Sequence, residues 1–84
     1  MSGKLKEADK MKELDMDIVR KVGIISENAS GWQKQLNVIS WNKAAPKYDI
    51  RDWSPDGSKC SKGITFNDEE AQILLDLLKN ALTE

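Results

Sequence analysis

Histidine is absent from this chain, cysteine occurs once and proline twice. Without an imidazole there is no Ser-His-Asp or Cys-His arrangement, no histidine zinc site and no side chain that ordinarily titrates near neutrality. Cys60 sits between Lys59 and Lys62 but has no histidine to act with. The Gly-Lys-Ser/Thr phosphate loop, the dinucleotide glycine fingerprint and the calcium loop are all missing. Asp49, Asp52 and Asp56 are scattered over both faces of an extended segment and make no ligand set. These absences exclude an enzyme, a metal, a cofactor and a small-molecule substrate. One thiol cannot form an internal disulfide, which points to a reducing compartment. No apolar run approaches the roughly 20 residues of a membrane span, and the N-terminus carries no signal-peptide core. The expectation is a soluble cytoplasmic protein that works by binding.

The 84 residues are enough for one small domain. The net charge of −1 hides an uneven distribution. Residues 1–16 carry four lysines against four acids, and residues 17–66 carry eight Lys/Arg against five acids. Residues 67–84 carry Lys79 against five acids. An anion-binding face therefore belongs to the middle of the chain. Residues 1–16 are Lys/Glu-rich with little apolar area, and are expected to form a flexible tail ahead of a domain over 17–84.

β-Branched residues from Asp17 to Asn28 predict a strand, with Gly23 marking a bulge or bend. Asn28-Ala29-Ser30-Gly31 reads as a turn, and Trp32–Lys43 as a second strand that Ala44-Ala45-Pro46 ends. In that strand Leu36 and Val38 suit a core, and Trp32 is the tryptophan expected inside. Lys47–Trp53 alternates as a third strand, Ser54-Pro55-Asp56-Gly57 turns, and Ile64-Thr65-Phe66 is a short fourth strand. Asn67, with Glu70 three residues on, caps a helix carrying an apolar stripe from Ala71 to Leu82. The order is four antiparallel strands and one helix, an α+β fold. One helix covers one sheet face, and its stripe, widened by Ile73 and Leu77, exceeds what that face needs. A homodimer through the helix accounts for the excess.

Trp41, Trp53, Arg51, Lys43, Lys47 and Lys21 share one strand parity. Aromatic rings stack on bases and cations track phosphates, and a duplex hides the faces of its bases. The pattern favours a single-stranded nucleic acid. Burial of the rings and a peptide-binding interaction module are the competing readings, and stacking alone does not separate DNA from RNA.

The run DIRDW, a turn, then SKGITFNDEEAQILLDLL resembles the C-terminal domain of the positive cofactor four family of transcriptional coactivators. It is similar in particular to the small bacterial, YdbC-like members. The matching block covers residues 47–78, with a shorter loop between Trp53 and Lys62. The resemblance implies a curved four-stranded sheet with a C-terminal helix, dimerised through the helix and binding single-stranded DNA with little sequence specificity in transcription, replication or repair. By position, Arg51 matches the family's strand arginine, Trp53 its aromatic pair, Lys62 its Lys-Gly step, and Trp41 the aromatic ending its second strand. The expected interface is then Lys21, Lys34, Trp41, Lys43, Lys47, Arg51, Trp53, Lys59 and Lys62. The expected dimer contact is Ile73, Leu74, Leu77, Leu78 and Ala81.

Overall fold

A computed structural model describes residues 15–84. All but the last two residues of the expected tail lie outside the described residues, and Met16 already belongs to a strand. The elements are β1 (Met16–Glu27), β2 (Gln33–Trp41), β3 (Lys47–Trp53), β4 (Ile64–Phe66) and α1 (Asp68–Thr83). The strands form one antiparallel meander in the order β1-β2-β3-β4.

β1 is longer than the partner it pairs with, and the difference is absorbed by three register shifts, which leave Val19, Val22 and Ile25 as inserted residues. Each shift reverses the parity of the residues after it, so simple alternation fails in β1. Lys21 and Ile24 lie opposite Asn37 and Gln35, and Ile18 lies opposite Ile39. All three therefore share a face, although Lys21 is odd-numbered and the isoleucines even. Bulges also bend a strand and raise its twist. Gly23 adjoins one of the shifts.

The turns follow from local chemistry. Asn28 Oδ1 accepts from the Ser30 N–H at 3.0 Å, the Ser30 hydroxyl at 2.9 Å and the Trp32 N–H at 3.0 Å. Gly31, at φ +89°, presses on Pro55, where an added Cβ would stand 3.0 Å from the ring. After β2 the chain enters a type I′ turn, with Asn42 at φ 51° and Lys43 at φ 63°, closed by the Ala44 N–H to the Trp41 carbonyl at 2.9 Å. The second strand thus stops at Trp41, before the proline and two residues earlier than its sequence suggests. At α1 the reciprocal box is complete: Asn67 Oδ1 accepts the Glu70 N–H at 2.8 Å and Glu70 Oε1 accepts the Asn67 N–H at 2.9 Å.

The helix lies over one face of β3 and β4. A groove of about 370 Å³ separates Leu36, Tyr48, Ile50 and Phe66 from Ala71, Leu74, Leu75 and Leu78. Tyr48 and Phe66 stack at 5.7 Å between ring centroids. No helical residue is buried. Leu36 and Val38, the expected core, are only half-buried, because the helix does not close on the sheet. Among the described residues the buried hydrophobics are Ile39 and Trp53. Both belong to the face away from the helix, called here the distal face. Trp32, the tryptophan expected inside, is partly exposed.

Candidate nucleic-acid interface

The ladder from β1 to β4 sets the distal face residue by residue. Lys21 stands opposite Asn37, Asn37 opposite Asp49, and Asp49 opposite Thr65. Gln35 lies opposite Arg51, Ile39 opposite Lys47, and Gln33 opposite Trp53. Trp41 continues the same face at the end of β2, opposite Met16.

At its centre is a buried ion pair. Arg51 Nε donates to Asp49 Oδ1 at 2.8 Å and Nη2 to Oδ2 at 2.7 Å, while Nη1 donates to the Ser61 carbonyl at 3.3 Å. The Asp49 side chain is fully enclosed and that of Arg51 is 13% exposed. The guanidinium carbon lies 4.8 Å from the centroid of the Trp41 ring, a cation–π contact. Burial by itself would lower the Arg51 pKa, but the hydrogen bonds and charge of Asp49, with help from the Cys60 side chain, outweigh it. The net shift is upward and the guanidinium stays charged. Arg51 is thus a braced planar cation, with most of its donors committed within the protein.

Gly63 explains how the chain entering β4 reaches this pair. A Cβ there would stand 2.4 Å from both the Ile50 carbonyl oxygen and Arg51 Cβ. Only glycine allows that segment to pass so close to β3. The Asp52 N–H donates to Ser61 Oγ at 3.1 Å and the Ser61 N–H to the Asp52 carbonyl at 3.0 Å, which holds the loop to the strand.

Beside the pair runs a ladder of side-chain amides. Asn37 Nδ2 donates to Gln35 Oε1 at 3.1 Å, Gln35 Nε2 to Gln33 Oε1 at 2.8 Å, and Gln33 Nε2 to Glu27 Oε1 at 3.2 Å. Lys21, Gly23 and Ile24 close a cleft of about 330 Å³ over these amides. The indole N–H groups of Trp41 and Trp53 are buried without a hydrogen-bond partner among the described residues. Uncompensated buried donors cost on the order of 1–3 kcal/mol each.

The structure gathers some of the expected residues and separates others. Lys21, Lys47, Trp41, Arg51 and Trp53 share the distal face. Lys43 occupies the type I′ turn and is exposed. Lys59 and Lys62 are exposed in the loop between β3 and β4. Two placements differ from the sequence reading. Trp53 is 5% exposed, so its ring is enclosed rather than offered. Lys34 belongs to the helix-side face opposite Asp52 and pairs with that carboxylate at 3.1 Å, because β2 alternates without interruption. The residues that sequence reasoning missed are Asp49, which positions Arg51, and the amides Gln33, Gln35 and Asn37. Their signal was available: same-face spacing of two between Asp49 and Arg51, and amides at the alternating positions 33, 35 and 37 of β2. Among the described residues no helix is long and apolar enough to cross a membrane.

A single antiparallel sheet, with the helix on one side and basic and aromatic residues on the other, defines an α+β protein. Comparison with known proteins places that architecture. The family model described as Transcriptional Coactivator p15 (PC4) matches residues 28–77. A protein of Treponema pallidum (strain Nichols), described as uncharacterized, is 45% identical over 64 residues, covering 76% of this chain and 75% of its own. The chain belongs to the transcriptional coactivator p15 (PC4) family, a DNA-binding family connected with transcription.

Proposed function

We propose that the chain is a homodimeric single-stranded DNA-binding protein with little sequence specificity, serving transcription, replication or repair in the cytoplasm. The observation that carries this reading is the Trp41–Arg51 unit on the distal face, flanked by Lys21 and Lys47. The part-exposed Trp41 ring is a stacking surface for any base, since every base has a π-face, and Arg51 braces it. Lys21, Lys43, Lys47 and Lys62 take the phosphates as point charges. Trp53, being enclosed, supports the platform instead of stacking. Duplex DNA does not present base faces, so the platform selects single strands.

The exposure of α1 supports dimerisation through it. Ile73, Leu77 and Leu82 are 58%, 61% and 81% exposed, and Leu75 and Leu78 about half. Covering such side chains yields on the order of 1 kcal/mol or more apiece. A chain whose described hydrophobic core is Ile39 and Trp53 needs that contribution. Ile73, Leu74, Leu77, Leu78 and Ala81 form the contact in this reading.

The test is titration with labelled oligo-dT at two salt concentrations. Binding that weakens steeply with salt, competed by single strands of any sequence and poorly by duplex, is the expected result. No binding at micromolar protein in low salt would remove the proposal.

A further inference from the structure

The three tryptophans have different environments. Trp53 is enclosed, and Trp41 carries Arg51 on its ring. Trp32 instead lines an open cleft of about 360 Å³ with Ser54, Pro55, Asp56, Ser58 and Lys59. We infer that this cleft is a second nucleobase site, in which Trp32 stacks a base and Lys59 holds the phosphate beside it. The inference rests on the single-strand reading above and extends it to a place outside the distal-face platform.

The cleft is built, not a chance gap between loops. Gly31, next to Trp32, sits against Pro55, which ties the β1–β2 turn to the β3–β4 loop. Asp56 Oδ1 accepts from the Ser58 N–H at 2.9 Å, the Ser58 hydroxyl at 2.7 Å and the Ser54 hydroxyl at 2.8 Å. The Lys59 N–H donates to Ser54 Oγ at 3.0 Å, and the Ser54 N–H to the Lys59 carbonyl at 2.9 Å. The loop therefore holds its shape without a ligand. Trp32 is anchored through its own N–H and carbonyl to Asn28 at 3.0 and 2.9 Å.

The chemistry of the walls selects the class of ligand. An indole and a proline ring offer apolar surface to a flat heterocycle. The Asp56 carboxylate in the lining disfavours a phosphate lodged inside, but it tolerates a neutral base with amino or imide groups. Lys59 is the cation for the flanking phosphate. Trp32 and Trp41 lie at opposite ends of β2, roughly 30 Å apart by strand rise. One single strand touching both sites would span several nucleotides, within the usual footprint of single-strand binders.

The full chain is tested as wild type, Trp32→Ala, Trp32→Phe and Lys59→Ala, by anisotropy of labelled oligo-dT and by the Trp32 indole N–H signal in NMR. Loss of one stacked base should weaken binding roughly ten-fold in Trp32→Ala. Trp32→Phe should retain most of the affinity, and the wild-type indole signal should shift on titration. If Trp32→Ala does not fold, the wild-type indole shift and Lys59→Ala decide. Wild-type binding with a stationary indole signal and unchanged Trp32→Ala or Lys59→Ala affinity overturns this site but leaves the platform standing. Absence of wild-type binding overturns both.

Discussion

Arg51 shows most plainly what a side chain's partners do to its role. In the linear chain it is one cation on an alternating strand, interchangeable with Lys47. Folded, it is bound twice by Asp49, capped by the Ser61 carbonyl and laid on Trp41. Removing Asp49 leaves a largely buried cation unpaired, so Asp49→Ala should lose about 3 kcal/mol of stability in urea unfolding. Arg51→Ala should weaken binding by loosening the Trp41 ring that it braces, with little change in salt slope, because its charge is already balanced. Lys47→Ala should instead flatten the plot of log affinity against log salt by about 0.7, one phosphate contact on a single strand. Equal salt slopes for the two variants would contradict this division of labour. Gly63→Ala tests the approach of β4 to β3. Its Cβ meets backbone at 2.4 Å, so the cost should be about 1–3 kcal/mol, read as a lower melting temperature and altered Arg51 Nε chemical shift.

Individual elements divide into those written locally and those written by their neighbours. The helix is of the first kind: Asn67, three acids in the first turn and a 3.6-residue apolar period agree with one another. Asn67→Ala should cost about 1 kcal/mol, measured by thermal unfolding. The Ser54–Ser58 loop is local as well. Its backbone and hydroxyl donors, led by those of Ser58, hold the Asp56 pKa down to about 2. A carboxylate depressed in the fold supports it fully above the ordinary carboxylate pKa and loses that support as pH falls through the folded value. The Ser58 amide should therefore titrate in NMR with a midpoint near pH 2, and a midpoint at about 4, the ordinary carboxylate value, would show the loop open. β1 is of the second kind. Its length mismatch with β2 appears only on pairing, and the three resulting shifts decide that Lys21 faces Asn37. Counting by twos along β1 put Lys21 and Ile24 on opposite sides. The ladder puts them together.

At the scale of the whole molecule, the exposed stripe of α1 is the dominant feature. In the homodimeric reading, unfolding is coupled to dissociation, so the melting temperature should rise with protein concentration. Leu77→Asp should convert the protein to monomer in sedimentation and lower its stability by several kcal/mol. A concentration-independent melt with a monomer mass at tens of micromolar would refute the assembly. The groove of about 370 Å³ beneath α1 is part of the same picture, since a single helix does not close on its sheet.

Sequence alone was sufficient for the element order, the helix cap, the strand limits to within about two residues and the basic–aromatic character of one face. Each depends on interactions between residues close in the chain: alternation, turn chemistry and capping act over two to four positions. Sequence was also sufficient for the resemblance over residues 47–78, now matched by the family over 28–77. Tertiary structure alone decided that Trp53 is enclosed while Trp32 lines a cleft, that Lys34 pairs with Asp52 across two strands, and that the Asp49–Arg51 pair is buried. Burial and cross-strand pairing depend on which segments meet across strands and loops. Pro55 against Gly31, or Gly63 against Arg51, is set by chain crossings that no local pattern records.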